Sequence, residues 1–264
     1  MPHHSHTAPG LSRKQWLLSL LLGSLVALVW CAPAQWLAQA VHTLSNQRVQ
    51  LRQARGTVWD GSAQWVLAAG SGSTEALALP QRLHWRIRPH WDASLTIELQ
   101  ADCCTSQTVA LQLKPDGQGV QINLHHLEAV LPAHWLSGLG APWNTMNLQG
   151  RLTLTSQQLQ WLWSQGQWHM SGAATLALHQ LSCGLSTLQP LGSYVVQLQG
   201  GTTPSLVLKT SEGKLQLQGQ GHWQDGHFSF QGQAWAELGY ENALNNLLGV
   251  LGQRSGDKTM LRLG

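Results

Sequence analysis

Two hydrophobic patterns divide the chain. From Trp16 to Ala34 no side chain is charged and apolar residues fall on every side of a helical wheel. From Val49 onward apolar and polar positions alternate. The first pattern predicts a helix able to cross the ~30 Å hydrocarbon core of a bilayer. The second predicts half-buried antiparallel strands, because successive side chains of a strand point to opposite faces.

The alternation recurs along the chain. Leu95, Ile97 and Leu99 are interleaved with Thr96, Glu98 and Gln100, and Val120, Ile122 and Leu124 with Gln121, Asn123 and His125. Leu159, Trp161 and Trp163, then Tyr194, Val196 and Leu198, follow the same rule. Asp60-Gly61, Pro115-Asp116-Gly117 and Glu212-Gly213 separate such runs as turns. Asp60-Gly61 sits between Thr57-Val58-Trp59 and Ala63-Gln64-Trp65 and predicts a hairpin. Glycines at the heads of several strands suggest a recurring hairpin unit, with two similar halves near 49–140 and 145–235.

Helical signals after the first segment are few. His126–Leu136 reads as a short helix broken at Pro132, Leu185–Leu191 as one turn, and Tyr240–Leu251 as an amphipathic helix through Leu244, Leu247, Leu248 and Leu251. The predicted fold is therefore mainly β: a transmembrane helix, then an antiparallel β-rich domain with a few short helices. Its one-faced strands either close on each other as a sandwich or remain a curved open sheet with an apolar groove.

Charge orients the first helix. Arg13 and Lys14 precede it, and the next cation is Arg48. The positive-inside bias places residues 1–15 in the cytoplasm and 16–34 in the membrane, with 35–48 as a stalk and 49–264 as a domain outside the cytoplasm. Trp16 and Trp30 sit where interfacial anchors belong. A cleaved signal peptide is the competing reading, with Ala32-Pro33-Ala34 as its processing site. Trp36-Leu37-Ala38 continues the apolar run past that site and favours a retained anchor.

Composition narrows the function. Asp, Glu, Lys and Arg make up 10% of residues and the net charge is +3, with no basic tract. Export and this even charge argue against nucleic acid as a partner; inner-membrane lipid fits better. Export permits a disulfide, and Cys183 is expected to pair with Cys103 or Cys104, whose side chains diverge if they lie on a strand.

Catalytic chemistry finds little support. The thirteen histidines include His3, His4 and His6 in the tail, where His4-Ser5-His6 is the one His-x-His spacing, and the adjacent pair His125-His126; no Cys-x-x-Cys spacing suited to a metal occurs. Gly70-Ser71-Gly72-Ser73 is only superficially like a nucleophile elbow. His84, His90 and Asp92 form no recognisable constellation. No catalytic residue, metal or cofactor is expected.

Three stretches and a late Leu-rich helix carry a resemblance. Arg55-Gly56-Thr57-Val58-Trp59-Asp60-Gly61-Ser62-Ala63 is the most telling; Leu83-His84-Trp85-Arg86-Ile87 and Leu188-Gln189-Pro190-Leu191-Gly192-Ser193-Tyr194 support it, with Leu248-Gly249-Val250-Leu251-Gly252 near the end. Together they resemble protein N of the bacterial type II secretion system. The resemblance implies a non-catalytic, single-pass inner-membrane component that supports export of folded proteins and contacts other parts of that machine. Gly56, Thr57, Trp59, Asp60 and Gly61 would then form a fold-signature hairpin with a buried Trp. A membrane-anchored lipid carrier or conduit is the alternative that one-faced strands also fit.

Overall fold

The computed structural model describes residues 13–68, 76–117, 119–139, 145–224 and 227–264. Helix α1 (Arg13–Trp30) is followed by α2 (Ala34–Leu44). Pro33 divides them: it disfavours helical backbone at the residue before it and opens α2 with extended dihedrals. The single helix expected over Trp16–Ala34 is thus two, and the expected stalk is mostly α2, lying on the sheet. Among the described residues no helix is long and apolar enough to cross a membrane.

Alternation becomes strands β1 (Val49–Gly56), β2 (Asp60–Ala68), β3 (Ala76–Ala78), β4 (Leu83–Pro89), β5 (Leu95–Ala101), β6 (Val109–Asp116) and β7 (Gly119–Pro132). After a 3₁₀ segment (Ala133–Leu139) come β8 (Gln149–Ser164), β9 (Gln167–Ser182), β10 (Gly192–Gly201), β11 (Ser205–Gly213), β12 (Leu215–Gln224) and β13 (His227–Ala236). Helix α3 (Glu241–Leu251), β14 (Gln253–Ser255) and β15 (Lys258–Leu263) end the chain. All strands join one open antiparallel sheet, a meander whose edges are β1 and β14. The sandwich alternative is thereby replaced by the open sheet, and the two proposed halves share it through the β7–β8 pairing.

Register gathers the apolar residues on one face. Leu99 lies opposite Trp85 and Val109, Leu124 opposite Leu111 and Leu159, and Leu178 opposite Leu152 and Tyr194. Helix α3 covers this face where β8–β13 form it: Leu244, Leu247 and Leu248 are buried with Leu178, Tyr194, Leu215 and Ala234, and the 3₁₀ segment adds Ala133. The expected helix at Tyr240–Leu251 is present. The one at His126–Leu136 is not: β7 continues to Pro132, and only then does the 3₁₀ segment begin. Its sequence misleads because His126 takes a left-handed φ of 47° and shifts the apolar phase from Leu124 to Leu127, a three-residue step that imitates helical spacing. Leu185–Leu191 is irregular rather than a helical turn.

The cysteines also depart from expectation. Cys103 is bonded to Cys104, and Cys183 is a free, buried thiol. Residues 102–104 form a turn, not a strand, so the argument that neighbouring side chains diverge does not apply there.

Tyr194 lies at the centre of the main core. Its hydroxyl donates to the Leu215 carbonyl at 3.1 Å, and burial pushes its phenol above the usual range, with the neighbouring Cys183 adding to the shift. The raised folded value favours the neutral form, so this contribution to stability is present below the unfolded tyrosine pKa and lost as pH climbs above about 10. Alkaline unfolding followed by circular dichroism should show that loss, and Tyr194→Phe should flatten it. Leu244→Ala should cost about 2–5 kcal/mol in urea unfolding of the full chain, as expected for a large-to-small change in a packed core, whereas Val250→Ala on the exposed side of α3 should be nearly silent.

Candidate functional site at the helix–sheet junction

The segment that carries the sequence resemblance is where α1 meets the sheet. Strand β1 ends at Gly56 and β2 begins at Asp60, so Thr57, Val58 and Trp59 make the turn. This corrects the sequence reading, which put the turn at Asp60-Gly61. Thr57 explains the difference: its N–H donates to the Asp60 carbonyl at 2.9 Å, and its hydroxyl oxygen accepts from the Asp60 N–H at 3.1 Å. The threonine side chain closes the loop.

Two glycines permit the close approach. Gly56 has φ +87°, a left-handed conformation that suits glycine, and a Cβ there would lie 2.5 Å from the Asp60 carbonyl oxygen. A Cβ on Gly61 would meet the Trp85 ring at 2.5 Å. Trp85 is therefore the buried tryptophan of the signature, 4% exposed and packed with Ala34 and Ala63. Its indole N–H donates to the Val58 carbonyl at 3.0 Å.

Trp59, expected to be the buried ring, is only half-buried. It has another partner: its indole N–H donates to the Val29 carbonyl in the last turn of α1, at 2.8 Å. The Val58 N–H donates to the Ala32 carbonyl at 2.8 Å, and Pro33 bridges to Thr57. The first bond supplies a donor to a carbonyl of the kind a helix end leaves without an intrahelical one, and the other two fasten the link between α1 and α2. Ala34, the first residue of α2, completes the joint, 1% exposed against Ala63 and Trp85. The residues Ala32-Pro33-Ala34, read as a processing site in the alternative, are thus built into the domain.

Polar groups flank the turn without converging. Asp60 accepts from the Arg86 guanidinium at 2.9 Å, a bond that raises the Arg86 pKa. Arg82 donates to the Gln53 carbonyl and to Ser62, which supports a bulge in β1 where Gln53 has φ 52°. His84 lines a shallow depression with Arg86, Glu98 and Asp102. His90 and Asp92 lie in the β4–β5 turn, where Asp92 accepts from the Ser94 hydroxyl at 2.6 Å and its pKa is lowered by that bond. Among the described residues no three His, Cys, Asp or Glu side chains could hold a metal ion. His3, His4, His6 and Gly70–Ser73 lie outside the described residues.

On α1, Trp16 is 62% exposed and Trp30 71%, and Leu17, Leu21, Leu25, Val26 and Val29 between them are exposed as well. These bare apolar side chains run along the length of α1.

Residues 47–261, the sheet domain and nothing of α1, match the family model for type II secretion system (T2SS), protein N. The chain belongs to that family. No curated protein and no solved structure matches it. Within the T2SS protein N domain the family match begins two residues before β1 and takes in the whole signature turn. Sequence reasoning missed the link from Trp59 to Val29, because no periodicity signals a hydrogen bond across 30 residues.

These roles separate by mutation. Gly61→Ala should destabilise the T2SS protein N domain by about 1–3 kcal/mol through overpacking against Trp85. Trp85→Ala should cost about 3–5 kcal/mol. Trp59→Phe, which keeps an aromatic ring and removes the N–H donor, should leave urea unfolding almost unchanged while increasing amide hydrogen exchange around Val58. Equal losses for Trp59→Phe and Trp85→Ala would contradict the assignment.

Proposed function

We propose that this chain is a non-catalytic inner-membrane component of the type II secretion system, anchored by α1, with its sheet domain in the periplasm and bound to other components of the machine. The observation that carries the reading is the bared apolar surface of α1, tied at its C-terminal end to a domain of the T2SS protein N family. An all-apolar exterior is stable in lipid and not in water. The helix is short for a bilayer, and local thinning accommodates the difference. The positive-inside bias leaves residues 1–15 cytoplasmic. Ala34, buried in the domain, favours retention of the anchor over processing.

Partner contact fits the edge of β1. The strand has eight residues and is paired on one side only, and an open edge is a template for strand addition. The other edge, β14, has three residues, all exposed and none of them apolar. Such contact spreads energy over the backbone and needs no single catalytic group.

One observation favours a second reading, a lipid-binding carrier. Helix α3 covers only part of the apolar face. Toward the β6–β7 and β8–β9 turns, Val120 and Trp163 remain exposed beside half-buried Ile122 and Trp161. Mass spectrometry of lipid extracted from the purified full chain tests it; stoichiometric lipid bound within the sheet would move the function from scaffold to carrier.

The scaffold reading is tested by Leu21→Arg combined with Val26→Arg in the full chain. The variant should leave the membrane fraction, and export of a type II substrate should fall to the level of the deletion strain. A photo-crosslinking residue at Arg52 should capture another secretion component in the wild-type background. Unimpaired export by a variant that has left the membrane would overturn the reading.

A further inference from the structure

The meander sorts its turns to two ends. At one end lie the β1–β2 turn, which receives α1, and the β4–β5, β6–β7, β8–β9 and β10–β11 turns. At the other lie α3, the 3₁₀ segment and the β9–β10 loop. The register fixes this sorting: Asp60 pairs with Arg86, Pro89 with Leu95, Leu95 with Leu113, Val120 with Trp163, and Met170 with Gly201.

The exposed tryptophans of the described residues are distributed unevenly between the two ends. Among the described residues the exposed tryptophans are Trp16, Trp30, Trp36, Trp91, Trp163 and Trp168. Trp16 and Trp30 are on α1, and Trp36 begins α2 at the same junction. The other three lie at the α1 end of the strands. Trp91 stands at the tip of the β4–β5 hairpin, fully exposed, roughly 10 Å beyond Asp60 at the usual rise per strand residue. Trp163 and Trp168 flank the β8–β9 turn with ring centroids 5.0 Å apart. Trp223 on β12 and Phe228 on β13 form a half-buried pair, 4.4 Å apart, at the same end.

Cross-strand stabilisation explains why paired rings touch each other. It does not explain Trp91, against which nothing packs, nor why exposed tryptophans favour one end. Large indoles placed in water are unfavourable, whereas the bilayer interface accommodates both their rings and their N–H groups. Charge gives no competing account: Asp92 lies in the β4–β5 turn, and Lys114 and Asp116 precede the β6–β7 turn, so this rim is not a basic patch.

We infer that the α1 end of the sheet rests on the lipid surface, with Trp91, Trp163 and Trp168 entering the interfacial layer as a second attachment beside the helix. The inference rests on the anchor reading for its source of membrane, and its test separates the two. The full chain is labelled with 5-fluorotryptophan and placed in phosphatidylcholine–phosphatidylglycerol bicelles, with and without a lipid spin-labelled near its headgroup. Fluorine resonances are assigned by single Trp→Phe variants, including Trp91→Phe, which removes no packing contact. Spin-labelled lipid should erase the signals of Trp91, Trp163 and Trp168 and spare those of Trp85 and Trp135, at low and high salt alike. Survival of the three rim signals while Trp16 and Trp30 are lost would overturn the rim contact and leave the anchor standing. Loss of the rim signals with Trp16 and Trp30 intact would sustain the contact and remove the anchor. Survival of all five overturns both.

Discussion

A sheet with one apolar face and no second sheet must find another cover for it, and most of this molecule answers that constraint. Burying apolar area is the main favourable term in folding, and here the apolar surface extends from β1 to β15 in a single layer. Three local covers share the work. Helix α2 lies over Ala63 and Trp85, the 3₁₀ segment brings Trp135 against Leu79 and Ala101, and α3 fills the surface formed by β8–β13. Each cover is short; α2 and α3 adjoin in sequence strands they protect, whereas the 3₁₀ segment reaches back to strands early in the chain.

That arrangement explains which features the sequence reveals. Alternation identifies the strands because each has one buried and one wetted face, as in Leu95 to Gln100. The amphipathic spacing of Leu244, Leu247, Leu248 and Leu251 identifies α3 for the same reason: a single face is buried. Legibility fails where the backbone changes phase. At Gln53 and His126 a left-handed residue shifts the apolar register, so the pattern ceases to be period two although the strand goes on. It fails again where a side chain replaces a backbone bond, as Thr57 does in the turn. Trp59 and Trp85 are both tryptophans near the signature glycines, and only the three-dimensional packing tells which is buried. Cys103 and Cys104 sit in a turn that composition does not announce.

Family membership and geometry meet at the junction. The family match covers the sheet, while the exposed apolar helix joined to it lies before the match, in α1 and the Cys31–Pro33 link. Trp59, Val58 and Thr57 connect the two through backbone-directed bonds. The direction of α1 is therefore fixed by contacts that depend little on which apolar residues make up the helix. The helix can vary in sequence provided its last turn still presents carbonyls to the hairpin.

The meander also has a temporal meaning. From β4 to β13 every strand pairs with its sequence neighbours, so each ladder closes only a short loop of chain and incurs little closure entropy. Topologies built from such local pairings fold faster than those that must join distant segments. A chain delivered from its N-terminus, extended and one segment at a time, can add each strand to the growing edge as it emerges, without waiting for a partner still to come. The last large apolar surface to be exposed in that sequence is the one over β8–β13, and α3, which follows β13 directly, arrives in time to close it.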